Sequence, residues 1–173
     1  AWGLLELLQA RWHGPWLAWA IELADTMLEH FEDREAGGFF FTADDHEQLI
    51  LRPKTFGDDA TPSGNGVAAR VLIRLGLLLG ETRYLDAAER TLRASWGVLE
   101  KFPHAHTSLL VALDELTDPP AIVVARGPHG DLDTWRTELD KYYDPRRFVA
   151  AIPDDATDLP EGLAAKRPQQ HTV

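Results

Sequence analysis

The stretch Gly37–Gly66, GGFFFTADDHEQLILRPKTFGDDATPSGNG, decides how the rest of the chain is read. Its neighbours on both sides carry helical periodicity, and this stretch does not. Two short apolar runs, Phe39-Phe40-Phe41 and Leu49-Ile50-Leu51, flank a polar turn from Thr42 to Glu47. That pattern predicts a β-hairpin over about 38–51, inserted between helices. The stretch ends in Thr61-Pro62-Ser63-Gly64-Asn65, a helix start with Thr61 as cap and Pro62 in the first helical position.

Working outward, apolar residues at helical spacing predict helices over 2–11, 16–31, 62–79, 83–100 and 104–116. Gly14-Pro15 interrupts the first pair, Gly80 ends the third helix and Pro103 separates the last two. An internal repeat links these segments: Leu4, Leu7, Trp16, Leu17 and Ala20 recur as Leu72, Leu75, Tyr84, Leu85 and Ala88, at a fixed offset of 68 positions. Each copy is helix, short turn, aromatic-Leu, helix. Repeated antiparallel helix hairpins make either a solenoid or a closed α/α toroid, because one hairpin cannot bury both its faces.

Pro119-Pro120 marks a boundary. Ile122-Val123-Val124, an amphipathic segment from about Leu132 to Tyr143, and Phe148–Ile152 then read as strand, helix, strand with a right-handed crossover. Two parallel strands are not stable alone, so this unit needs neighbours. The division expected is a helical part over 1–118, a small α/β unit over 119–160 and a polar tail over 161–173.

Composition narrows the function classes. The chain has 173 residues, is 45% hydrophobic and 26% charged, and carries a formal net charge of −11. Such an acidic balance argues against nucleic acid or an anionic membrane as the main partner. With no cysteine in the sequence, disulfides and thiol nucleophiles are excluded. No apolar run reaches the roughly 18 residues of a membrane span, and a cytoplasmic location is the default expectation. No phosphate-loop, H-E-x-x-H or G-x-S-x-G pattern is present; Gly127-Pro128-His129-Gly130 departs from G-x-G-x-x-G, and no cofactor or metal is expected. The chain opens on Ala1 inside a helical pattern, which suggests excision from a longer polypeptide.

The candidate chemistry lies in the central stretch. Asp58 and Asp59 are the acid–base candidates, although adjacent residues in an extended segment point opposite ways, and a carboxylate at a helix start is also favourable electrostatics. Arg52 and Lys54 either pair with Asp58 and Asp59 or bind an anionic substrate group. Ser63 and Asn65, flanked by Gly64 and Gly66, either cap the helix or bind sugar hydroxyls. His46 and Glu47 sit at the turn with Asp44 and Asp45, where ordinary turn chemistry competes with a carboxylate leaning over a pocket. His104 and His106 are two apart, which does not put both on one helix face. The six tryptophans supply sugar-stacking surfaces or core.

The string GGFFFTADDHEQLILRPK…DDATPSGNGVAARVLIRLG closely resembles the bacterial YyaL-type proteins, relatives of the spermatogenesis-associated thioredoxin-like protein of animals. The likeness continues through Tyr84–Ala88 and Pro119–Val124. It implies a longer protein, with an N-terminal thioredoxin-like domain followed by an α/α toroid similar to six-hairpin glycosidases and sugar 2-epimerases. This chain would then be the last part of that toroid plus a terminal α/β piece. The partners so implied are a sugar or glycan and the remainder of the parent chain; self-association through uncovered helix faces is also expected. The alternative is a noncatalytic scaffold for the thioredoxin-like domain. On either reading the isolated chain is expected to be inactive.

Overall fold

A computed structural model describes residues 1–45 and 50–166. The described residues are mainly helical, with a small two-stranded parallel sheet. Five helices come first: α1 (Trp2–Ala10), α2 (Gly14–His30), α3 (Gly64–Leu79), α4 (Thr82–Lys101) and α5 (Thr107–Thr117), the last preceded by a 3₁₀ turn over Pro103–Ala105. These match the helices read from periodicity, with shifted ends. Pro15 lies in the first turn of α2 rather than ahead of it, where its missing N–H costs nothing. Gly80, in the left-handed conformation, ends α3 as expected. None of the described helices is long and apolar enough to cross a membrane.

α3 is the centre of the core. Ala69, Leu72, Leu75 and Leu78 are fully buried on different sides of it, because α1, α4 and α5 all pack around it. α4 shows the one-sided pattern of an outer helix: Tyr84, Ala87, Ala88, Thr91, Leu92, Ser95 and Leu99 are buried along a single stripe. The repeat is visible in three dimensions. Ala20 and Ala88, equivalent positions in α2 and α4, are both fully buried, and Glu6 of α1 meets Arg74 of α3, its repeat equivalent, at 3.3 Å.

β1 (Ala121–Gly127) and β2 (Arg147–Pro153) run parallel in register Ala121–Arg147 to Gly127–Pro153, joined by α6 (His129–Asp140). The neighbours this unit requires are present: α6 packs on both strands and α1 on β2, where the Gln9 side chain accepts a hydrogen bond from the Val149 N–H at 3.3 Å. Phe148 and Ile152 join the same apolar cluster as the helices. α7 (Glu161–Ala164) follows, within the stretch read as a polar tail; it packs on α3 and its Leu163 is fully buried.

The expected β-hairpin over 38–51 is corrected, insofar as its residues are described; residues 46–49 fall outside them. Phe39 forms an isolated antiparallel bridge with Glu32, and the Phe40 N–H donates to the Phe31 carbonyl at 2.9 Å. The aromatic run therefore folds back on the end of α2, and its Phe41 N–H donates to the Pro53 carbonyl at 2.8 Å, beyond the second apolar run that the hairpin would have used. Gly37 and Gly38 make this possible: both have φ near +80°, open to glycine at little cost, so the chain reverses within a few residues. The Asp33 N–H donates to the Gly38 carbonyl and the Gly37 N–H to the Asp33 carbonyl, each at 2.8 Å, closing a shorter loop than the expected hairpin would.

Candidate functional site

A cavity of about 660 Å³ lies between α2, the aromatic run and the start of α3. Met27 of α2, Phe31 just past its end, and Phe39, Phe40 and Phe41 form its apolar wall; Thr55, Asp59, Thr61 and Asn65 also line it. An apolar cavity with a few convergent polar groups is the usual form of a small-molecule site.

The residues that reach this region do different work from one another. Asn65 is 3% exposed. Its Oδ1 accepts from the Phe39 N–H at 2.7 Å, and its Nδ2 donates to the carbonyls of Phe39 at 3.0 Å and Thr55 at 2.8 Å. Both amide hydrogens are engaged, so Asn65 fastens the aromatic run and residue 55 to α3. Ser63, not Thr61, is the cap: its Oγ accepts from the Gly66 N–H at 3.0 Å, and α3 begins at Gly64, two residues beyond Pro62. This corrects the expected start. The shift arises because the Ser63 N–H donates to Asp58 Oδ1 at 2.8 Å and the Ser63 hydroxyl lies 3.1 Å from that of Ser108, which fixes Ser63 in extended backbone.

Asp58 also holds the start of α5. Its Oδ2 accepts from the Ser108 N–H and the Thr107 hydroxyl, each at 2.8 Å, and its Oδ1 from the Ser108 hydroxyl. Burial alone would raise its pKa; the donors from Ser108, Ser63 and Thr107 outweigh that and hold the carboxyl well below the usual carboxylate range. Asp58 is thus ionised and bridges the N-termini of two helices. Asp59, its neighbour, is exposed on the cavity wall, and the geometry separates the two carboxylates as adjacent extended residues should be.

Arg52 and Lys54 do not reach Asp58 or Asp59. Arg52 donates to the carbonyls of Thr42 at 2.7 Å and His30 at 3.3 Å, and its guanidinium carbon lies 4.3 Å from the Phe40 ring centre. Lys54 donates to Asp33 Oδ2 and to the Gly37 carbonyl, each at 2.7 Å. Backbone hydrogen bonds to Asp33, reinforced by the Lys54 ammonium, lower the Asp33 pKa. Lys54 braces the Gly37–Gly38 reversal, Arg52 ties residue 42 to the end of α2, and both cations lie against the Phe40 ring. His46 and Glu47 lie outside the described residues.

Sequence reading noted Asp44 and Asp45 without His30, and passed over a second cluster entirely. His30, at the end of α2, has Nδ1 3.0 Å from Asp44 Oδ1 and 3.9 Å from Asp45 Oδ2, a grouping whose ligating atoms fall within 4.8 Å of one another. The hydrogen bond that His30 Nδ1 donates to the Asp44 carboxylate raises the His30 pKa. Arg70 and Arg74 of α3 converge on Glu115 of α5 at 2.8 and 2.9 Å, with Trp2 stacked against both guanidiniums at 4.2 and 4.6 Å. Burial raises the Glu115 pKa, and the two arginines more than reverse that. The 68-residue offset, which aligns Glu6 with Arg74, was the signal available for this network.

No family model matches the chain. Among known proteins it is similar to human spermatogenesis-associated protein 20, with 33% identity over 133 residues covering 76% of this chain and 17% of that protein. The rat protein of the same name is 36% identical over 112 residues, covering 64% of this chain and 14% of that protein. The mouse protein is 36% identical over 104 residues, covering 60% and 13%. The chain therefore spans less than a fifth of the length of these relatives.

Proposed function

We propose that this chain, whose similarities support membership of the spermatogenesis-associated protein 20 family, forms part of an α/α toroid of the six-hairpin glycosidase type and serves there as a binding and scaffolding wall. The two-layered helix hairpins and the 68-residue repeat support the toroid. The rest of such a protein, including a thioredoxin-like domain, is its partner in this reading.

The observation that carries the reading is the state of Asp58. A general acid needs a proton to give at working pH, and paired-carboxylate chemistry needs two groups whose environments push their pKa values apart. Asp58 is held ionised by donors from Ser63, Thr107 and Ser108, and Asp59 is the carboxylate left on the cavity wall. The cavity suits binding: its phenylalanines offer flat apolar surface to the face of a sugar ring or a similar small molecule, and Asp59 and Thr61 offer polar groups at its edge.

The test is a sugar titration followed by amide NMR, run beside turnover assays with glycosides and sugar-epimerisation substrates. Binding is expected to shift resonances of Phe39–Phe41 and Asp59, to weaken several-fold in Asp59→Asn, and to occur without turnover. Turnover by the chain that Asp59→Asn or Asp58→Asn abolishes while the fold is retained would contradict the reading.

A further inference from the structure

α2 ends in Glu29-His30, and the chain returns to that end 14 residues later with Asp44-Asp45. The Asp44 N–H donates to the His30 carbonyl at 2.9 Å, and Arg52 donates to the same carbonyl at 3.3 Å, so the two backbone segments are pinned together. Across this joint His30 Nδ1 lies 3.0 Å from Asp44 Oδ1 and 3.9 Å from Asp45 Oδ2. Such spacing fits a shared metal ion as well as a shared proton. Bonds of about 2.0–2.1 Å in a tetrahedral site put neighbouring ligand atoms about 3.3 Å apart, between the two distances found.

The far side of the imidazole carries an independent observation. Its Nε2 faces Glu29 Oε2 at 3.8 Å. A histidine that binds metal through one ring nitrogen generally directs the other toward a carboxylate, which fixes the tautomer and raises the basicity of the ligating nitrogen. Charge points the same way. The carboxylates of Glu29, Asp44 and Asp45 surround one imidazole, and a proton on it offsets only one of them. Arg52, whose charge also acts on Asp44, donates to the carbonyls of His30 and Thr42 instead.

We infer that His30 Nδ1, Asp44 and Asp45 form a binding site for a divalent first-row transition ion, with Glu29 orienting the imidazole. The ion takes the place of the Nδ1 proton, which is released on binding. The nitrogen ligand selects against magnesium and calcium, which prefer shells of oxygen. The side chains of His30, Asp44 and Asp45 are 32%, 56% and 68% exposed, so an ion reaches them from solvent and water completes its shell. Bound there, it joins the end of α2 to residues 44–45. The sequence carries no motif for this site, because its ligands come from a helix end and a loop that only the fold brings together. The inference does not depend on the toroid reading.

The test is a zinc titration of the isotope-labelled chain at about pH 7.5, above the unperturbed histidine value, read on the His30 ring and the amides of Asp44 and Asp45. Zinc should shift these resonances saturably, magnesium in excess should not, and saturation with zinc should raise the urea midpoint of the wild type. His30→Gln and Asp45→Asn should each weaken zinc binding by about ten-fold or more, since loss of an orienting partner alone costs that much. Unchanged amide resonances in α3–α5 of each variant separate a lost ligand from a lost fold. The absence of a saturable response to zinc would overturn the inference, as would an equal response to magnesium. So would binding that survives His30→Gln and is removed by His46→Gln, or that Asp45→Asn leaves untouched.

Discussion

Asn65 makes three hydrogen bonds from a buried position, and every partner is backbone. Replacing it with Ala strands the N–H and carbonyl of buried Phe39 and releases the Thr55 carbonyl. Asn65→Ala should therefore lower unfolding stability by about 2–4 kcal/mol, measured by urea denaturation, because unpaired buried polar groups carry their full desolvation cost. Residue types in this stretch were legible and their work was not. A Ser-Gly-Asn-Gly run announces a helix start, and the start is there. Which residue caps it depends on Ser108, 45 positions from Ser63, and no local rule reaches that far. Asp58 is the same case: the sequence marks a carboxylate near a helix, while its donors come from Ser63, Thr107 and Ser108.

At the scale of elements, periodicity identified α1 to α5 because their apolar stripes are set by burial, and burial is what the sequence records most directly. The strand–helix–strand unit was legible for the same reason. The hairpin was misjudged because two apolar runs specify extended chain without specifying partners. Gly37 and Gly38 let Phe39–Phe41 return on the end of α2, where Asp33, Arg52 and Lys54 secure it. The packing of α5 on α3 gives a prediction of its own. Glu115 has a side chain only 6% exposed and answers two arginines. Glu115→Ala leaves Arg74 buried without its main counter-charge and should cost about 3–5 kcal/mol, read by urea unfolding. Exchanging Glu115 and its arginines together for apolar residues of similar volume should cost far less.

Across the whole molecule, the described residues of the stretch 37–66 fasten the helices to one another. Asn65 ties the aromatic run to α3, Lys54 and Arg52 tie it to the end of α2, and Asp58 ties the starts of α3 and α5 together. The repeat made the pairing of α1 with α2 and of α3 with α4 legible, but the ties were not, because most join groups far apart in sequence. The central claim is that Asp58 holds the fold as a carboxylate. A group whose pKa is depressed on folding contributes stability that is present above its unfolded value, near 4, and is lost as pH falls below it toward the folded value. Asp33 and Glu115 are depressed as well, so the wild-type curve alone does not isolate Asp58. The decisive measurement is urea unfolding of the wild type and Asp58→Asn from pH 7 down to pH 3. The variant should be less stable by about 2–3 kcal/mol at pH 7, with the gap narrowing as pH falls below about 4. Equal stability at pH 7, or a gap that does not change with pH, would contradict the account.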